Sequence, residues 1–297
     1  MKKIIVFGSN GLVGSKFLQI SSKMFSVSAP SSYELDILDK DKVLEFLREK
    51  DAGVVINFAA YTDVEEAEKQ KGSKESLSYQ INAVGAKNVA DAAKILAKHL
   101  IHISTEYVFD GEKNDSPYTE EDNPNPINWY GQTKYFGEQF VLGSGCLYTI
   151  VRISMPYSSY YKNKTDIARF FLTQLNQGNQ IKAVKDQNIT PTLTDDIAKA
   201  LIVLVKKKQQ GIYHVSSKNY TTPFDFAKLI ARTFNLNSTL IIPILLDEYN
   251  HQKQARLLKN SWLNPSKFVA QFGEESLRSI QEDLELFKQD VDEADNN

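Results

Sequence analysis

The opening stretch MKKIIVFGSNGLVGSKF confines this chain more than any other part of it. Residues 3–7, KIIVF, form a β-branched run without polar alternation, the pattern of a strand covered on both faces. The run ends in Gly8, Gly11 and Gly14, spaced G-x-x-G-x-x-G, and a helical pattern starts at once. Strand, glycine turn and helix in immediate succession let the backbone turn tightly and approach a pyrophosphate. The N–H groups at the start of the helix then face its charge. A glycine-rich turn alone is only a turn; its place between a strand and a helix points to dinucleotide binding. Gly8, Ser9, Asn10, Gly11, Leu12, Val13 and Gly14 are the expected cradle.

Further strand-like runs follow at FSVSA (25–29), GVVINFAA (53–60), LIHIS (100–104) and YTIVRIS (148–154). Between them lie the helical patterns DKDKVLEFLREK, ESLSYQINAVGAKNVADAAKILAKH and NWYGQTKYFGEQFVL. This alternation predicts an α/β fold, a Rossmann-type doubly wound parallel sheet with right-handed crossovers and helices on both faces. Residues 1–154 read as the dinucleotide-binding domain. After Ser154 the regularity loosens, and 155–290 read mainly as a smaller substrate-binding region with some return to the first domain. It contains a helix DIARFFLTQLNQG, a loop and helix DQNITPTLTDDIAKALIVLVKKK, a strand GIYHV, and TPFDFAKLIARTFN, which opens on Thr222 as N-cap and Pro223 at the first helical position. Residues 291–297, acidic and without apolar periodicity, read as a disordered tail.

Charge and composition exclude several classes. A formal net charge of −2 gives no basic field for nucleic acid. The single cysteine, Cys146, precludes an internal disulfide and a CxxC metal site and suits a reducing, cytoplasmic setting. The apolar run at the N-terminus is broken by Gly, Ser and Asn, so neither a signal peptide nor a membrane span is expected. His99, His102, His214 and His251 are scattered, with no metal-binding helix pattern among them. A homodimer is allowed by the sequence and not required by it.

Two places carry the chemistry. At the tip of the second strand stand Pro30, Ser31 and Ser32 rather than an acid. An acid there would hold the ribose hydroxyls of NADH and repel a 2′-phosphate. Its absence leaves Ser31 and Ser32 as donors to that phosphate and tilts the expected cofactor toward NADPH, with NADH the alternative. Asp36 reads either as a contact to the adenine amine or as a loop acid before a helix, and Ile37, Ala59, Ala60 and Tyr61 complete the expected contacts. Ser104, Thr105 and Glu106 lie at the carboxyl end of LIHIS, where open α/β sheets bind ligands. Tyr130 and Lys134, in YGQTK, share one helix face. A carbonyl reduced by hydride needs a proton donor and a polarising hydroxyl. Tyr130 fits the first role and Thr105 or Ser104 the second. Lys134 would lower the phenol's pKa and bind ribose, while Asn82 would hold backbone or a water beside them.

The motifs GSNGLVG, NFAAYTDVEEAE, STEYVFDG, NPINWYGQTKYFGE, DQNITPT and ARLLKNSWLNPSKF, in this order, resemble the extended short-chain dehydrogenase/reductases, and among them the dTDP-4-dehydrorhamnose reductase family. The resemblance implies Thr105, Tyr130 and Lys134 as catalytic residues and a nucleotide-sugar substrate reduced at its 4-keto group. It puts Ser104, Thr105, Glu106, Tyr107, Met155 and Arg256 on the substrate side, with the Arg256 guanidinium on a phosphate. Three departures fall there: Glu106 stands where that family has Asp, Met155 where it has Trp, and Leu257 follows Arg256 in place of Pro. A cofactor-binding regulatory subunit, like the β subunit of methionine adenosyltransferase, and a sugar-nucleotide epimerase are the alternatives. Dehydration is disfavoured, since Tyr107 rather than a second acid follows Glu106.

Overall fold

The computed structural model describes residues 1–160 and 164–295. In the first half, β1 (Lys2–Phe7), α1 (Leu12–Ser21), β2 (Phe25–Ser28), α2 (Lys40–Glu49) and β3 (Val54–Asn57) are followed by the short α3 (Val64–Glu68) and α4 (Leu77–Tyr79). Then come α5 (Ala86–Ile95), β4 (His99–Thr105), α6 (Trp129–Ser144) and β5 (Leu147–Ile153). The second half holds β6 (Pro156–Tyr157), α7 (Ile167–Asn176), β7 (Ile181–Val184), β8 (Asn188–Ile189), β9 (Thr192–Leu193), α8 (Thr194–Lys207) and β10 (Gly211–Val215). It closes with α9 (Pro223–Thr233), β11 (Ile241–Ile244), α10 (Leu246–Asn250), β12 (Asn260–Ser261), α11 (Ser266–Phe272) and α12 (Ile280–Asp295).

The main sheet has six parallel strands in the order β10-β5-β4-β3-β1-β2. Alternate residues of each run feed opposite faces. Ile4, Val6, Val54 and Ile56 pack with Phe17 of α1 and with Ile197, Leu201 and Leu204 of α8. Ile5, Phe7 and Val55 pack with Val43 and Leu47 of α2, Val89 and Ala93 of α5, and Val141 of α6. That is why these runs carry no polar alternation: both faces are dry. The chain reverses direction across the sheet between β1 and β3, and the crevice at that switch point opens beside the glycine turn.

The return of the second half to the sheet is α8 and β10. GIYHV joins as the edge strand, Gly211 opposite Thr149 and Val215 opposite Ile153. A separate core, with Tyr157, Phe171, Leu175, Phe226, Ile230, Leu284 and Phe287, lies under α7, α9 and α12.

Two expectations are corrected. The long helical pattern before β4 is interrupted by a π-helical segment, Gln80–Gly85, and ends at Ile95. The expected tail is helical through Asp295. Ile280, Leu284, Phe287 and Val291, four, three and four residues apart, continue one stripe onto the second core, so its apolar period reaches into the acidic segment. No helix among the described residues is long and apolar enough to cross a membrane.

Candidate active site

A cleft of about 680 Å³ runs along the carboxyl ends of the central strands. Gly8, Ser9, Asn10, Gly11, Leu12, Val13 and Gly14 line it, with Ser31, Ser32, Asp36, Ile37, Ala59 and Ala60 from the neighbouring loops. From the far side come Ser104, Thr105, Glu106, Tyr107, Tyr130, Lys134 and Met155. The sequence had scattered these groups over 150 residues; β1, β3, β4 and α6 bring them to one edge.

The three glycines are not equivalent. At Gly8, with φ of +72°, an added Cβ would lie 2.4 Å from the Ala59 nitrogen, and at Gly14 2.5 Å from the Gly8 carbonyl oxygen. The turn itself forbids a side chain at either. Gly11 has φ of −77°, and its Cβ would meet nothing closer than 3.4 Å. Folding therefore leaves room for a side chain at Gly11, yet that room belongs to the cleft, at the N-cap of α1, where no side chain caps the helix. A diphosphate fits such a place. Gly11→Val should melt close to the parent while NADH and NADPH titrations lose their signal; unchanged affinity would contradict this.

The catalytic candidates are held by α6. Asn128 caps the helix, accepting from the Gly131 N–H at 2.9 Å. Gly131 lies so close to the Tyr107 carbonyl that a Cβ would sit 2.1 Å from its oxygen, and Gly137 similarly 2.3 Å from the Asn82 oxygen. Only a bare backbone allows this approach, which brings Tyr130 and Lys134 beside the end of β4. Both are buried, and the Lys134 ammonium donates to the Ile103 carbonyl at 2.7 Å. Burial pushes Lys134 down to about 8, opposed by the negative charge of Glu138 one turn on.

Tyr130 departs from expectation. Burial, and secondarily the Glu106 carboxylate, raise its pKa; a hydrogen bond with the Thr105 hydroxyl works in the other direction. The ammonium expected to lower it is turned to Ile103. The phenol is thus held protonated, the state a proton donor needs. Its ring packs edge-on against Tyr107, centroids 5.6 Å apart.

Glu106 is buried, accepts from the Thr105 hydroxyl at 2.7 Å and is also bonded to the Met155 backbone. Burial raises its pKa from 4.5 to about 7, more than these bonds lower it. The folded chain binds this proton more tightly than the unfolded one, so the contribution to stability is full below 4.5 and lost as pH rises through about 7. Glu106→Gln should remove that slope, worth up to about 3 kcal/mol. Denaturant midpoints of parent and variant between these pH limits test this, and parallel curves would contradict it.

Ser104 Oγ is buried at the cleft with no hydrogen-bond partner among the described residues. Tyr61, Asn82 and Arg256 lie outside the lining. The Asn82 side chain, in the π-helical segment, accepts from Tyr61 N–H at 2.8 Å and donates to the Tyr61 carbonyl and the Thr133 hydroxyl. It locks the loop after β3 to α6, and so positions the site from behind. Arg256 is exposed; its carbonyl accepts from Asn128 at 3.1 Å, which ties its backbone to the start of α6. The sequence reading missed Thr62 and the cleft-lining stretch 164–167, where Lys164 reaches the Thr62 carbonyl and hydroxyl at 3.2 Å. This stretch follows the sequence PYSSYYKN, which has no apolar periodicity to read.

A glycine turn at the switch point of a parallel sheet, facing a buried Tyr–Lys pair, defines a Rossmann-type oxidoreductase of the short-chain dehydrogenase/reductase kind. The profile of the RmlD substrate binding domain matches residues 1–292, and the chain belongs to that family. It is 35% identical over 229 residues to the dTDP-4-dehydrorhamnose reductase of Mycolicibacterium smegmatis, covering 76% of this chain and 68% of that protein. The crystal structure of a dTDP-4-dehydrorhamnose reductase from Clostridium acetobutylicum superposes with a TM-score of 0.87 at 33% identity, covering 97% of this chain and 98% of that one. That of the Bacillus anthracis reductase in complex with NADP gives 0.88 at 32%, covering 97% and 99%.

Proposed function

We propose that this protein reduces the 4-keto group of a nucleotide-activated deoxysugar, a substrate like that of dTDP-4-dehydrorhamnose reductase, at the expense of NADPH or NADH. The observation that carries the reading is the convergence of Thr105, a protonated Tyr130 and Lys134 on the cleft that Gly11 leaves open. The reduced nicotinamide, when bound, supplies the hydride. The Tyr130 hydroxyl gives its proton to the oxygen that was the carbonyl, and the unpartnered Ser104 hydroxyl, or that of Thr105 once turned from Glu106, polarises that oxygen beforehand. Lys134, which burial pushes down to about 8 and leaves charged at neutral pH, would turn from the Ile103 carbonyl to stabilise the phenolate left behind. Arg256 is assigned to the diphosphate of the substrate, with its guanidinium swung toward the cleft. The buried Cys146 suits a reducing cytoplasm.

The test is a mixture of purified protein, NADPH or NADH, and a dTDP-4-keto-6-deoxyhexose. Loss of the reduced-nicotinamide absorbance, dependent on the sugar, supports the reading. Cofactor binding without any sugar-dependent oxidation would replace it with the regulatory-subunit reading.

A further inference from the structure

Glu106 lines the cleft, buried, and the reduction step leaves it without a part. Its carboxyl accepts the backbone N–H groups of Glu106 itself and of Met155. Its Oε2 also accepts the Thr105 hydroxyl at 2.7 Å. A hydroxyl has one hydrogen and two lone pairs to offer. The Thr105 oxygen accepts the Tyr107 N–H at 3.3 Å, which occupies one lone pair. One hydrogen and one lone pair remain for two neighbours, the Glu106 carboxyl and the Tyr130 phenol.

Two arrangements satisfy both neighbours. With Glu106 ionised, the carboxylate takes the Thr105 hydrogen, and the phenol reaches Thr105 only by donating its own hydrogen to the lone pair. With Glu106 protonated, the acid donates to that lone pair and the Thr105 hydrogen turns to the phenol oxygen. The phenol hydrogen is then left for the cleft. Charge acts in the same direction, because an ionised Glu106 disfavours a phenolate at Tyr130 and a neutral one does not.

Other titratable groups among the described lining residues are Asp36, Tyr107, Tyr130, Lys134, Lys164 and Asp166. Asp36 accepts the Leu38 N–H at 2.9 Å, and Asp166 is paired with Arg169 at 2.8 Å. The Lys134 and Lys164 ammonium groups donate to Ile103 and Thr62, and burial holds Tyr107 protonated. Burial sets the Glu106 equilibrium and its own hydrogen bonds oppose it, so both of its forms exist near neutral pH.

We propose that Glu106 sets the direction of the Thr105–Tyr130 hydrogen bonds: as a neutral acid it frees the Tyr130 hydrogen for the substrate oxygen, and as a carboxylate it turns both hydroxyls away. This rests on the reductase reading and makes Glu106 a positioning residue for it. In the step itself the Tyr130 O–H bond breaks and the sugar O–H bond forms. Glu106 keeps its proton, and Thr105 donates to the phenolate left behind.

Single-turnover reduction of a dTDP-4-keto-6-deoxyhexose, followed from about pH 6 to pH 8, provides the readout. The parent rate should fall at least about tenfold across this range, as Glu106 ionises near 7. In Glu106→Gln the backbone N–H groups take the amide oxygen and the amide N–H replaces the acid proton. Its rate should fall no more than about twofold, on the Lys134 ionisation near 8 alone. Each fall is a ratio within one protein, so a change in absolute rate does not enter it. Thr105→Val cuts the link between Glu106 and Tyr130 and should flatten the profile in the same way. NADH or NADPH titrations should stay level over the range. A parent without the fall, a fall matched by lost cofactor binding, or a Glu106→Gln profile as steep as the parent's overturns the proposal and leaves the reductase reading standing. A Thr105→Val profile as steep as the parent's overturns it as well, since Glu106 would then act on Tyr130 without Thr105. No sugar-dependent oxidation at any pH overturns both.

Discussion

Tyr130→Phe is expected to lower turnover of a 4-keto sugar nucleotide by roughly 10²–10⁴-fold, the contribution of a positioned proton donor, with dinucleotide affinity close to the parent's. The substitution is well suited to the question because the ring stays. Tyr130 is 9% exposed and packs edge-on against Tyr107, contacts that phenylalanine keeps. Only the hydroxyl beside Thr105 is removed. Lys134→Met should behave differently and weaken turnover and dinucleotide binding together, since its ammonium is assigned to the phenolate and to the ribose. Steady-state kinetics with parallel cofactor titrations separate the two patterns. A Tyr130→Phe protein as fast as the parent would make the pair an ordinary helix face.

The second large effect is on stability. Glu138 lies one turn beyond Lys134, fully buried, and receives two bonds from Arg152 of β5, Nε at 2.9 Å and Nη2 at 2.7 Å. The guanidinium also lies 5.1 Å from the Phe109 ring centre. This pair fastens the helix carrying Tyr130 and Lys134 to the sheet. Glu138→Ala leaves a guanidinium buried without its counter-charge, which costs about 3–5 kcal/mol. Denaturant titration should show that loss, and a double Glu138→Met, Arg152→Met protein should recover much of it, because no lone charge remains. A loss under about 1 kcal/mol for Glu138→Ala would mean that Arg152 finds another partner.

What was legible in the sequence follows from locality. The strand KIIVF, the glycine turn and the YGQTK helix each declare themselves within about ten residues. Gly8, Gly14, Thr105, Tyr130 and Lys134 could therefore be placed on one sheet edge by topology alone. What needed the structure was decided by distant partners. GIYHV reads as a strand anywhere, but its pairing with β5 depends on α8 crossing over α1. The raised pKa of Tyr130 depends first on its burial and then on the Glu106 carboxylate, both set by how α6 packs against the end of β4. Asn82 was expected to hold backbone beside the site and does so at Tyr61, but its bond to the Thr133 hydroxyl and its place outside the cleft lining come from the π-helical segment.

The central claim, hydride transfer to a sugar carbonyl with Tyr130 as proton donor, is tested most directly by isotope transfer. The protein would be incubated with a dTDP-4-keto-6-deoxyhexose and a reduced cofactor carrying deuterium at the nicotinamide C4. Nuclear magnetic resonance of the product should show one deuterium at the sugar C4, one oxidised cofactor formed for each sugar reduced, and a sharply reduced rate with Tyr130→Phe. An inverted sugar with no net cofactor oxidation, or bound cofactor with an unaltered sugar, would contradict the account.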